Sequence, residues 1–196
     1  MQIDSDAVIV SQGNGYAYEE LKFKQHTLRY FAMAEKGVGL NRNTALFQAT
    51  ADIVVFADED IVYEEGYADK ILKEFEKNPK ADMLLFNVQA AEGRETYYND
   101  RLARVRWYNC GRYPTYSFAV KREKIYRNNI TFSLLFGGGA RYSNGEDSLF
   151  IRDCLKRGLK VYKVPVTIGK EKARPSTWFQ GYNRKFFVDR GVLYHY

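Results

Sequence analysis

Two groups of carboxylates are the residues best placed by type and spacing to do chemistry. Asp58-Glu59-Asp60 directly follows the apolar run Ile53-Val54-Val55-Phe56-Ala57. An unbroken run rich in β-branched residues predicts a strand buried on both faces of a parallel sheet. Ligands of open α/β sheets bind beyond the carboxyl ends of such strands. Alternate residues of an extended segment point the same way, so Asp58 and Asp60 can converge as hard oxygen ligands for Mg2+ or Mn2+. Such an ion can hold a diphosphate and neutralise its charge as it leaves. A solvated turn or helix cap accounts for an acidic tripeptide equally well, and it is the preceding apolar run that favours a site. The second group, Gly145-Glu146-Asp147, opens a helix, where the dipole and free amides favour a carboxylate. Taken singly, either residue reads as a cap. Phe136-Gly137-Gly138-Gly139 lies just before it, and glycines let a backbone approach a ligand closely. Loop and acidic pair together suggest a pocket with a general base. Arg42, within Asn41-Arg42-Asn43, is either an exposed arginine beside a helix cap or a planar fork suited to phosphate oxygens.

Positioning these groups requires an ordered scaffold, and the pattern of apolar residues predicts one. Ala7-Val8-Ile9-Val10 predicts a short buried strand, closed by the turn signal Gly13-Asn14-Gly15. Asn41 is the expected cap of a helix over 42–50, followed by the strand 53–57. A helix over 67–77 with Ile71, Leu72 and Phe75 on one stripe stops at Asn78-Pro79. Strands are expected at 83–86 and 116–120, then a glycine-rich loop over 136–145. A helix over 147–157 closes at Gly158, with Cys154 on its apolar stripe. An alternating strand over 160–168 leads into a polar, aromatic tail. Strands and helices alternating in this way predict an α/β domain, a Rossmann-like, mostly parallel sheet flanked by helices.

The 196 residues, 45% of them hydrophobic, suit one domain with a real core. The net charge of +6 is mildly basic and admits an anionic small molecule, an anionic membrane surface or nucleic acid as partner. No block of lysine and arginine alone and no nucleic-acid motif is present, so nucleic acid is not expected. Basic residues crowd one stretch: Arg94, Arg101, Arg104, Arg106, Arg112, Lys121, Arg122, Lys124 and Arg127, against Glu92, Glu95, Asp100 and Glu123. That is ordinarily a solvated face; its functional reading is an acceptor-side surface for anionic glycans or lipid phosphates. Cys110 and Cys154 make no disulfide framework and are expected to stay reduced. With no signal-peptide pattern and no run of about 20 apolar residues, the expected location is the cytoplasm, with peripheral contact at the inner face of the membrane as a partner surface.

The order of the pieces is distinctive: Lys36-Gly37-Val38-Gly39-Leu40-Asn41-Arg42-Asn43-Thr44-Ala45-Leu46, then 53–60, then Asn144-Gly145-Glu146-Asp147-Ser148-Leu149-Phe150, then Gly158-Leu159-Lys160-Val161-Tyr162-Lys163-Val164-Pro165. Over roughly residues 7–168 it resembles the family 2 glycosyltransferases of the GT-A fold. The resemblance implies a GT-A-like domain over 1–168, with 169–196 closing over the site. It also implies a nucleotide-sugar donor and a glycan or lipid-linked acceptor. By the same resemblance Asp58 and Asp60 bind Mn2+ or Mg2+ and the diphosphate, Asp147 is the catalytic base, and transfer proceeds with inversion. Arg42, Asp58, Gly137, Gly138, Gly139 and Glu146 then contact substrate. Three departures accompany it. The family's opening strand has no counterpart, so an open edge beside Val8 to Val10, and self-association through it, are expected. Ser11-Gln12-Gly13 stands where many members have an Asp that recognises uracil. Gly169-Lys170-Glu171-Lys172 stands where many have a metal-binding His, leaving Glu171 as a substitute. A non-catalytic sugar-nucleotide or glycan-binding relic, a nucleotidyltransferase and a basic nucleic-acid-binding domain stay open as alternatives.

Overall fold

The computed structural model describes residues 3–13, 15–91, 97–172 and 181–196. Asn14 of the turn signal and Arg94 of the basic stretch lie outside them. The strands sort into two sheets. Ala7–Gln12 (β1), Ala17–Phe23 (β2) and His26–Met33 (β3) make the smaller, in the order β1-β3-β2. β1 runs parallel to β3, with Ile9 opposite Tyr30, and β2 and β3 form an antiparallel hairpin. Lys24 at its turn adopts φ 55. Every residue of β2 is exposed, so no buried face marked this hairpin in the sequence.

Val38–Gln48 (α1) leads into the larger sheet. Its strands are Ile53–Val55 (β4), Ile61–Tyr63 (β5), Met83–Gln89 (β6), Ala103–Arg104 (β7), Phe118–Lys121 (β8) and Val161–Glu171 (β9). Between them lie the helices Tyr67–Lys77 (α2), Arg122–Arg127 (α3) and Glu146–Lys156 (α4), and Arg184–His195 (α5) follows. The order is β4-β8-β6-β9-β5, with β7 also on β9. Along β6, Met83 and Leu85 join one core with Phe118, Phe132 and Phe150, while Leu84 and Phe86 join another with Ile71 and Phe75 of α2. This is the two-residue period of a strand covered on both faces. Phe132 and Phe150 stack with centroids 4.1 Å apart.

The class is α/β with flanking helices, as expected, but the larger sheet is mixed rather than mostly parallel. β6 and β9 pair in parallel, whereas β8 inserts between β4 and β6 antiparallel to both. Among the described residues β4 therefore has β8 on one side only; Ile53, Val54 and Val55 are half-buried, Val54 packing against one core and Ile53 and Val55 against the other. Asn41 is not a cap. α1 begins at Val38, four residues earlier than expected, after Gly37 at φ 146, because the Gly37 amide donates to Gln12 Oε1 and the Val38 amide to Gly138 O. Tertiary partners, not a side chain of the helix itself, satisfy its first amides. Leu72, placed on the buried stripe of α2, is 49% exposed. The tail holds α5, whose buried residues are Asp189 and Leu193 and whose other apolar residues are spread around the helix, so no helical period shows.

Candidate active site

Arg42, in the second turn of α1, is the centre of the site. Its Nη2 donates to Asp58 Oδ1 at 3.0 Å, and its Nη1 to Glu146 Oε1 at 2.9 Å and Asp147 Oδ1 at 3.2 Å. The end of β4 and the start of α4 are thereby drawn onto one guanidinium, which is only 12% exposed. It lies 5.5 Å from the Phe132 ring. Asn43, one turn face away, clamps the same segment: its Nδ2 donates to Phe132 O, and the Phe132 amide donates to Asn43 Oδ1. The Asn41-Arg42-Asn43 tripeptide thus joins a charge to its mounting.

Burial opposes the Arg42 charge, but the carboxylates of Asp147, Asp58 and Glu146 outweigh it, pushing the group above the ordinary arginine range. Burial raises Asp58 too, opposed by Arg42 and assisted by Asp147 and Asp60. Glu146 is pushed up to about 7, first by burial and then by repulsion from Asp147. Burial, in a corner where three carboxylates share one cation, is why Asp58 and Glu146 resist ionising. Glu146 and Asp147, neighbours at the helix start, both reach Arg42 Nη1.

Asp60 is buried, and its carbonyl accepts from the Lys172 amide. Ile61 pairs with Glu171 across β5 and β9, so Glu171 comes to the same corner as Asp60. Of the three loop glycines, Gly137 has φ +103, and a Cβ there would fall 2.4 Å from Val38 Cγ1 and 2.8 Å from Glu146 Cδ. It packs the loop onto α1 and Glu146. Gly139, at φ +81, meets Gly37 N at 3.1 Å in the same test, whereas Gly138 faces open space. Gln12, where a uracil-reading acid would stand, spends its side-chain oxygen on Gly37 N. α5 packs on the far side of the loop: Asp189 Oδ2 accepts from Ser143 N and Oγ and from Lys185 Nζ, and Leu193 clusters with Phe136 and Leu149.

Two site residues carried no sequence signal. Thr115, 1% exposed, donates from Oγ1 to Asp147 Oδ1 at 2.5 Å and from its amide to Oδ2 at 3.3 Å. Tyr116 sits amid the acids: burial, then the charges of Glu171, Asp58, Asp147 and Asp60, raise its phenol. Both stand in a short 3-10 turn before β8, outside any recognisable motif.

The chain matches the family model described as Glycosyl transferase family 2 over residues 13–140. No curated protein matches it. Among solved structures it is similar to S. aureus TarS 1-349 in complex with UDP-GlcNAc, at TM-score 0.65 and 17% identity, covering 85% of this chain and 49% of that one. The complex of TarS 1-349 with UDP gives TM-score 0.62 at 16% identity, covering 85% and 47%. A further crystal structure of S. aureus TarS 1-349 gives 0.60 at 17%, covering 74% and 43%. The chain spans about half the length of these structures, and at such identities the likeness is one of fold. The family model itself matches well over half of the chain and encloses Arg42, Asp58 and Asp60: the chain belongs to the family 2 glycosyltransferases.

Proposed function

We propose that this domain transfers a sugar from a nucleotide-sugar donor to a glycan or lipid-linked acceptor, with inversion. The observation that carries the reading is the convergence on Arg42 of Asp58 from β4 and of Glu146 and Asp147 from α4. Carboxylates on two sides of one pocket can divide the work between leaving group and acceptor. Asp58 and Asp60 would hold a divalent ion, Mn2+ or Mg2+. The donor set suits it, since hard carboxylate oxygens in a corner of excess negative charge are completed by substrate phosphates. When bound, the ion supplies charge neutralisation to the leaving diphosphate. Asp147, steadied by Thr115, takes the acceptor proton; Glu146 and Arg42 hold the pocket's charge; the open side of Gly138 receives donor. The neighbours' complexes with UDP-GlcNAc and UDP support a uridine-linked donor.

Calorimetry with UDP, with and without Mn2+, tests the donor half: binding should require the metal and be lost in Asp60→Ala. Equal affinity in wild type and variant, with or without Mn2+, sinks the assignment. UDP release from UDP-GlcNAc tests the base. General-base catalysis contributes roughly 10²–10⁴-fold, so Asp147→Asn should lose about that much turnover while retaining UDP binding.

A further inference from the structure

Away from this site, Arg104, Arg106, Trp107, Arg152, Leu155 and Lys156 line a cavity of about 330 Å3. The segment running out of β7 supplies one wall and the last turns of α4 the other. Among the described residues no acidic side chain lines it, and none pairs with any of the four cationic side chains. Beside it Trp107 is 79% exposed and Tyr108 68%, their rings edge to face with centroids 5.7 Å apart; Leu102 is 50% exposed. Four unneutralised cations around a small depression call for an anion. Two large rings standing in water call for something that covers them.

We propose that this face docks on an anionic phospholipid surface, with headgroup phosphates seated among Arg104, Arg106, Arg152 and Lys156 and with Trp107 and Tyr108 at headgroup depth. Tryptophan and tyrosine favour that layer because each has an apolar body and a polar handle, and basic residues close to an anionic leaflet add electrostatic attraction. A small soluble anion would satisfy the cations and leave the rings uncovered, so the pairing of the two features selects a lipid interface. α4 joins this face to Asp147, nine residues from Lys156 and so about 13 Å along the helix axis. The inference stands whether or not the chain transfers sugar, because its test reads lipid binding alone.

The test uses the full chain with Trp178→Phe, which leaves Trp107 as the sole tryptophan of the two. Sedimentation with vesicles of phosphatidylcholine plus phosphatidylglycerol should carry the protein down, and vesicles of phosphatidylcholine alone should not. Trp107 emission should shift to the blue on binding. Each basic residue near an anionic surface is worth roughly fivefold in partitioning, so Arg104→Gln with Arg106→Gln should weaken binding about 25-fold. Lys22→Gln with Lys24→Gln makes the same charge change on the β2–β3 hairpin and should leave binding within about twofold. Equal losses in the two pairs, or vesicle binding without any emission shift, would overturn the proposal. So would binding to soluble heparin that depends on Arg104 and Arg106 while the vesicles stay bare, since the occupant would then be a soluble polyanion.

Discussion

Arg42 gathers carboxylates that stand 16, 104 and 105 positions away in the chain, and the cluster's chemistry follows from three carboxylates sharing a single cation. Glu146, at about 7 instead of an ordinary 4.5, is the clearest sign. Between those values the folded chain holds a proton that the unfolded chain releases, so stability falls as pH rises through that window and levels off above it. Thermal melts should show Tm declining from about 4.5 to about 7, with a shallower slope in Glu146→Gln; an unchanged slope would place the titration elsewhere. Thr115 acts through Asp147. Losing one hydrogen bond to a charged group weakens a site by ~1.5 kcal/mol or more, about tenfold. Thr115→Val should therefore lower kcat about tenfold with donor affinity unchanged, and Thr115→Ser should restore it. If serine fails to rescue, or if KM rather than kcat moves, Thr115 does not steady the base. At this scale the sequence displayed every acid and the arginine, because motif spacing preserves them. It hid Thr115 and Tyr116, whose roles depend on a turn placed by tertiary packing.

Among the elements, β1 and β4 share one property: each is the end strand of its sheet, with hydrogen-bonded partners on one side only among the described residues. Unpaired strand edges recruit other strands. Sedimentation velocity should therefore show association rising with concentration. Ile9→Lys, at a position already 40% exposed, should suppress it by charging the edge; a monomer at every concentration would show the edges to be protected. The expectation of an open edge beside Val8 to Val10 agrees with this placement. Elements with a strong apolar period were legible: α2 spans Tyr67–Lys77 as read, and α4 is displaced by one residue. What the pattern could not give was pairing direction. The run 53–57 looks the same whether its neighbour is parallel or antiparallel, and β8 took the antiparallel place beside it. α5 escaped notice because it is anchored by a buried carboxylate, Asp189, rather than by an apolar stripe.

For the molecule as a whole, the distribution of the core matters most. The three apolar clusters draw on both faces of the larger sheet and on the loop under α5, and none contains a residue of β1, β2 or β3. The smaller sheet is held to the rest by α1, by Arg29 Nη1 donating to Gln48 O, and by the Gln12 contact to Gly37. Regions poor in buried apolar contacts open at lower free energy than the global fold. Native-state amide exchange should thus find β1 and β3 exchanging through a partial opening, and β6 and β8 only on complete unfolding. A single exchange free energy across both sheets would count against it. The opening unit includes the strand that bears Gln12, and Gln12 holds the amide at which the Arg42 helix begins. A ligand that fixes Arg42 against Asp58 should therefore slow exchange in β1, so that occupancy of the pocket is recorded in the breathing of the smaller sheet.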